Sequence, residues 1–263
     1  MSLFPACRGS SIELKLESDL GKRKKARVGT CVYCGREGPI TDDHIPPKCI
    51  FPEILHKSLL KIPSCTGCNN GSSKDDEYLR TIIVLSARTH RDEALEQVTS
   101  RTVRSLVRAE ASGFREGILT GLREMFAQNE RGVFVPATFG RVDLTRLDRV
   151  ITRIIKGLFY AENSYRLPDD YKVVNSSAAG LTQVPEGIAL TLAANVSATM
   201  ETSMKLVGGP QFAFWSQYES ADPRHSSWVI AMYRTHSFVG WTVRSAEGQG
   251  EATASHVISN QIS

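Results

Sequence analysis

The sequence predicts an α+β protein in which a small N-terminal cysteine module precedes a helical stretch and a C-terminal mixed α/β region with an antiparallel sheet. Three observations predict it. Cys31, Cys34, Cys49, Cys65 and Cys68 fall within 38 residues, with Cys7 before them and no cysteine afterwards. Apolar residues then recur at helical spacing as far as about residue 160, and the last hundred residues change to strand-like runs.

The elements follow in order. Residues 1–28 form a basic arm, with seven basic residues (Arg8, Lys15, Lys22, Arg23, Lys24, Lys25, Arg27) against three acidic ones; the other 235 residues carry 25 of each sign, and the chain totals +4. A basic arm on a neutral body suits a polyanion, because each Lys or Arg that meets a phosphate releases a condensed counterion. Residues 29–88 make the cysteine module. Gly29–Cys34 and Gly38–Thr41 are short extended pieces around a Cys-Gly knuckle, and prolines at 46, 47, 52 and 63 forbid a continuous helix between the cysteines. After Cys68, Asn69 to Ser73 is a turn and cap cluster, and Asp75, Asp76 and Glu77 place acids in the first turn of a helix whose apolar residues are Tyr78, Leu79, Ile82, Ile83 and Leu85.

Residues 89–263 form the rest of the chain. Two helices are expected between Asp92 and Gln128, broken at Ser112-Gly113, with Ile118, Leu122 and Met125 on one side of the second. Arg146 to Tyr160 is a third, with an apolar side and a stripe of Arg149, Arg153 and Lys156 read as a solvated face. Strand-like runs occupy 187–198, 211–218, 227–233 and 238–243, and Phe214, Trp215, Trp228 and Trp241 are expected in the core. With 41% hydrophobic residues the chain can build a sizeable core, which excludes a disordered tail protein. No run approaches the roughly 18 apolar residues of a spanning helix. No apolar run follows the early basic stretch, so a reducing, cytoplasmic setting is expected and the cysteines need a role other than disulfides.

Two Cys-x-x-Cys pairs, Cys31/Cys34 and Cys65/Cys68, supply four thiolates for a tetrahedral structural Zn²⁺. The pairs are 30 residues apart, longer than a zinc ribbon allows, so something is built between them. Cys49 and Cys7 read as small buried hydrophobes or free thiols. Between the pairs lies Thr41-Asp42-Asp43-His44-Ile45-Pro46-Pro47-Lys48, and Asn69 directly follows the last cysteine.

On these residues the chain, over roughly 28–85, resembles the HNH endonuclease family. The resemblance implies a small ββα fold holding one catalytic divalent ion beside a zinc staple. The family's Asp-His pair followed by Ile-x-Pro matches Asp43, His44, Ile45 and Pro47. Many members have a metal-binding His after the last cysteine; Asn69 holds that place here, as in the variant represented by phage endonuclease VII. The family's middle Asn has no counterpart in residues 45–64, where His56 is the nearest stand-in. The resemblance implies His44 as general base, with Asp43 and Asn69 holding Mg²⁺ or Mn²⁺.

Those residue types suit phosphodiester hydrolysis. A His of pKa near 6.5 can take a proton from water at neutral pH, and a hard cation needs only one or two protein oxygens. Neighbouring strand residues point to opposite faces, so Asp43 and His44 can serve one phosphate only if the chain bends there, and Pro46-Pro47 leads to the expectation of such a bend. Asp76 and Glu77 are candidate further ligands, explained equally by the helix dipole. Lys48 and Lys74 are expected to bind phosphate, alongside Lys22, Arg23, Lys24, Lys25 and Arg27. His90, His225, His236 and His256 have no motif around them. The expected activity is metal-dependent cleavage of nucleic acid, DNA before RNA, with no membrane partner. The alternative is a zinc-dependent nucleic-acid-binding protein without turnover. Oligomeric state is left open.

Overall fold

The computed structural model describes residues 27–86, 93–128, 132–175, 204–233 and 236–245. The arm lysines and Arg23, Cys7, the run 187–198, His90 and His256 lie outside them. The fold is mixed α+β with antiparallel sheets and a four-cysteine cluster near the N-terminus.

Strands β1 (Arg27–Thr30), β2 (Glu37–Ile45) and β3 (Leu60–Cys65) pair antiparallel in that order. A knuckle joins the first two: Cys31 N–H donates to the Arg36 carbonyl at 2.9 Å and Gly35 N–H to the Cys31 carbonyl at 2.9 Å. Gly35 sits at φ 69, a left-handed turn position that a side chain would strain. Between β2 and β3 the prolines act as the sequence predicts, since two short 3-10 turns, Lys48–Ile50 and Glu53–Ser58, each start after one. Helix α1 (Thr66–Gly71) begins at Cys65, whose sulfur accepts the Cys68 N–H at 3.4 Å, and α2 (Ser73–Ser86) follows.

Helix α3 (Glu93–Leu106) falls where expected. The second helix does not run to Gln128. Helix α4 (Ser112–Thr120) stops before Gly121, and Leu122–Gln128 becomes β4, paired antiparallel with β5 (Phe134–Gly140). Leu122 and Met125 match a helical period from Ile118, but the extended Phe134–Gly140 segment gives their backbone a ladder to join, and pairing between strands overrides local periodicity.

Helix α5 (Leu144–Asn163) is the centre of the molecule. Asp143 caps its first turn by accepting the Arg146 N–H at 3.2 Å, and Ser164 ends it at φ 63. Val150, Ile151, Ile154, Ile155, Leu158 and Phe159 are all buried, and each aliphatic removed from water contributes about 1.5–3 kcal/mol. Beyond it, β6 (Tyr171–Asn175), β7 (Lys205–Leu206), β8 (Phe212–Tyr218), β9 (Ser226–Met232) and β10 (His236–Arg244) form an antiparallel sheet in the order β6-β10-β9-β8-β7. Trp228 and Phe214 are core and stack at 6.2 Å. Trp215 and Trp241 are only half-buried, because alternation along β8 and β10 turns them to the other face.

One hydrophobic cluster runs across the boundary expected near residue 88, from Val32, Ile45 and Phe51 through α5 to Phe212 and Trp228. The Tyr233 hydroxyl donates to the Ile50 carbonyl at 2.5 Å, and Arg101 of α3 to the Phe51 carbonyl at 2.6 Å, so later elements fix the β2–β3 connection. At the centre α5 approaches the first sheet through Gly157, where a Cβ would lie 2.5 Å from Ile45 Cγ1 and 3.1 Å from Ile62 Cδ1. Gly157→Val should therefore destabilise the protein by about 2–3 kcal/mol through overpacking. Gly117→Ala in α4, where nothing stands within 4 Å of the new Cβ, should stabilise it by about 0.5–1 kcal/mol. Urea unfolding midpoints of the two variants check both signs. Among the described residues no helix is long and apolar enough to cross a membrane.

Candidate active site

The first Cys-x-x-Cys pair lies on the knuckle and the second spans the end of β3 and the first turn of α1, so the β2–β3 pairing brings the two together. The sulfurs of Cys31, Cys34, Cys65 and Cys68 all lie within 4.8 Å of one another, and Cys34 and Cys65 are 3.8 Å apart. Four thiolates at about 2.3 Å from one zinc in a tetrahedron are separated by about that distance, so the set fits such an ion. The Arg36 backbone N–H, then its side chain, pull the Cys34 thiol down to about 6. Burial, then the neighbouring sulfurs of Cys65 and Cys34, push Cys68 well above the thiol range. A metal ion such as zinc, bound here, relieves that crowding by replacing protons.

The four-cysteine cluster fixes what lies next to it. Asn69 follows Cys68 on α1, and its side-chain nitrogen donates to Thr41 Oγ1 at 2.9 Å and to the Asp42 carbonyl at 3.3 Å. Both hydrogen bonds hold the amide against β2, while Asn69 Oδ1 has no hydrogen bond among the described residues. Thr41 and Asp43 lie two apart on β2, hence on the same face.

Asp43 is 5% exposed. Its Oδ2 accepts the Tyr33 hydroxyl at 2.7 Å and stands 3.4 Å from Arg153 Nε, and its Oδ1 has no hydrogen bond among the described residues. Arg153 also places NH1 3.1 Å from each oxygen of Asp76. Burial opposes the Arg153 charge, but Asp76, Tyr33 and Asp43 outweigh it and hold its pKa above the usual value. Burial raises the Asp76 carboxyl to about 6 against the pull of Arg153. The stripe on α5 is thus only partly a solvated face: Arg153 is 10% exposed, while Arg149 stays half exposed and, with Arg146, binds Asp75. The acids of the first α2 turn join α2 to α5 as well as complementing the dipole.

His44 lies on the other side of β2. The register runs unbroken through Asp43↔Ile62, His44↔Lys61 and Ile45↔Leu60, so the bend expected at 43–44 begins only at Pro46. Backbone pairing with β3 keeps the pleat regular, and the two side chains leave on opposite faces. His44 is half-buried and its ring has no hydrogen bond among the described residues. Burial, then the charges of Lys48 and Lys61, lower its pKa, so the ring is unprotonated at neutral pH.

Lys48 and Lys74 are exposed. Arg27 pairs with Asp42 at 2.6 Å. His56 Nε2 donates to the Phe51 carbonyl at 3.2 Å, inside the β2–β3 connection. Glu77 pairs with Arg80, His225 packs edge-on against Tyr171, and Cys49 is a partly buried thiol whose Sγ donates to the Asp76 carbonyl at 3.4 Å. Burial raises the Cys49 pKa to about 12. Sequence reasoning missed Tyr33, Thr41, Lys61 and the partnership of Arg153 with Asp43. Tyr33 sits inside the first cysteine pair, which was its one visible signal. No family model, no curated protein and no solved structure matches the chain.

Proposed function

We propose that residues 27–86 form a zinc-stapled ββα nuclease module of the HNH type that hydrolyses nucleic-acid phosphodiesters, DNA foremost, with Mg²⁺ or Mn²⁺. The observation that carries this reading is the Asn69 amide: its nitrogen is bound to the strand of Asp43 and His44, which leaves its oxygen unbonded beside the face of Asp43. Asp43 Oδ1 and Asn69 Oδ1 are two free, hard oxygens, a donor set that fits a divalent ion keeping several waters. Such an ion supplies charge stabilisation for the phosphorane-like transition state.

In this reading substrate binding must bend β2 at 43–44, since His44 and Asp43 leave opposite faces of the strand; His44 then takes a proton from the attacking water, the water oxygen bonds to phosphorus and the P–O3′ bond breaks. A 5′ phosphate and a 3′ hydroxyl result, the departing oxygen taking its proton from solvent. Lys61, directly across from His44, and Lys48 hold the substrate phosphate on that face and keep the ring neutral. Tyr33 and Arg153 hold the Asp43 carboxylate in place, and the arm anchors the substrate through phosphates without reading bases.

A binding protein without turnover is the second reading, favoured by one observation: Asp43 is engaged by Arg153 and Tyr33 on the covered face while His44 faces away from it. A panel of plasmid, branched-junction, single-stranded DNA and RNA substrates, with Mg²⁺ or Mn²⁺ and with EDTA, separates the two. Cleavage of at least one substrate, stopped by EDTA while the zinc is retained, is the expected result. Retained binding with no cleavage under either ion selects the second reading.

A further inference from the structure

Two carboxylates, the buried Asp43 and the largely covered Asp76, converge on a single guanidinium. Arg153 is the one cation within ion-pair distance of either among the described residues. Two negative groups facing one positive group leave an unmatched charge in a place with little access to water, which the protein interior disfavours. The geometry is uneven too. Arg153 serves Asp76 with two hydrogen bonds, whereas its Nε is buried, makes no hydrogen bond and lies 3.4 Å from Asp43 Oδ2. Arg153 therefore meets Asp43 by charge alone, and its buried Nε–H is left without a hydrogen-bond partner.

A divalent cation closes this balance where a second arginine could not. Hard ions take carboxylate and amide oxygens in one shell, and Asp76 is tied to the Asn69 turn, whose backbone carbonyl accepts the Ser72 hydroxyl that also reaches Asp76 Oδ2. We propose that Asp76 is a second carboxylate ligand of a divalent cation held at Asp43, and that Arg153 is the internal cation that this ion displaces. The proposal rests on the nuclease reading in taking Asp43 as a ligand. It adds a device: α5, which carries Arg153, senses whether the site is loaded.

The test uses the zinc-loaded full chain. Calorimetry with Mn²⁺ should find one ion beyond the zinc. Asp76→Asn, which leaves Asp43 and Arg153 as a balanced pair and so should fold, should weaken that binding at least tenfold, and Asp76→Glu should restore it to within a few-fold. Titration with Mg²⁺, followed by ¹⁵N NMR of arginine side chains, should saturably shift one Nε–H resonance, assigned by its absence in Arg153→Lys. Asp76→Asn should abolish that shift. No Mn²⁺ beyond the zinc, Asp76→Asn binding within twofold of wild type, or a stationary Arg153 resonance while the ion binds would each overturn the proposal. Cleavage is scored separately: a chain that binds Mn²⁺ as described and cuts nothing defeats the nuclease reading and leaves the exchange standing.

Discussion

Replacing Cys65 and Cys68 together by serine should abolish zinc binding and, with it, cooperative folding of the β1–β3 and α1 unit. The magnitude follows from comparing two energies. A structural zinc contributes an apparent 10–16 kcal/mol, roughly, while a whole domain is stable by only about 5–15 kcal/mol. Loss of the ion therefore exceeds the margin of the region it holds. The geometry says why so much depends on it: Cys65 both ends β3 and caps α1, and Cys68 immediately precedes Asn69, so the same two residues set the strand end, the helix start and the amide that grips β2. Elemental analysis of the wild type should give about one zinc per chain, and a strong chelator should reproduce the double variant in a thermal melt. Cys49→Ser is the control, since its thiol lies outside the four-sulfur cluster and its removal should leave the zinc in place. A wild type without zinc, or a double variant that melts as the wild type does, would remove the staple from the account.

What the sequence made legible was the local and the repetitive. The cysteine pairs announced a metal cluster because a four-thiolate site needs only those residue types at that spacing, and the sulfurs do meet. The apolar spacing of α5 was readable because one helix face repeats every 3.6 residues. Long-range partnerships were not readable. Nothing in Arg149, Arg153 and Lys156 as a stripe shows that acids from α2 will dock against it, since Asp75 and Asp76 are 74 and 77 positions away from Arg149 and Arg153. Leu122 to Gln128 fits either period, and only its partner strand decides. The Asp43-His44 pair was visible as a motif. Its placement on two faces depended on whether pairing with β3 persists past Asp43, which the prolines at 46 and 47 leave open from sequence and which the ladder to Leu60 answers.

His44→Ala should lower the rate of cleavage at saturating substrate by about 10² to 10⁴ while leaving nucleic-acid affinity within a few-fold of wild type. A general base acts on the proton that moves in the transition state and adds little to ground-state binding, so the loss belongs in the chemical step. His44 is a clean target for structural reasons. It is half-buried on the open face of β2, its ring has no hydrogen bond among the described residues, and its strand pairing is through backbone groups that Ala retains. Asp43→Asn is less clean, because it replaces the buried carboxylate that accepts the Tyr33 hydroxyl and faces Arg153, and so disturbs two contacts of the fold along with the chemistry. An activity loss there would mix chemistry with unfolding. Lys61→Ala offers the complementary outcome: taking one phosphate-binding charge off the same face should weaken binding and its salt dependence, with cleavage at saturation preserved. Measured together, the His44 variant should bind and not cut, and the Lys61 variant should cut and bind poorly. A His44→Ala protein that cuts at the wild-type rate would take the base off this face of β2 altogether, and the reacting phosphate would then have to be sought on the covered face, beside Asp43 and Asn69.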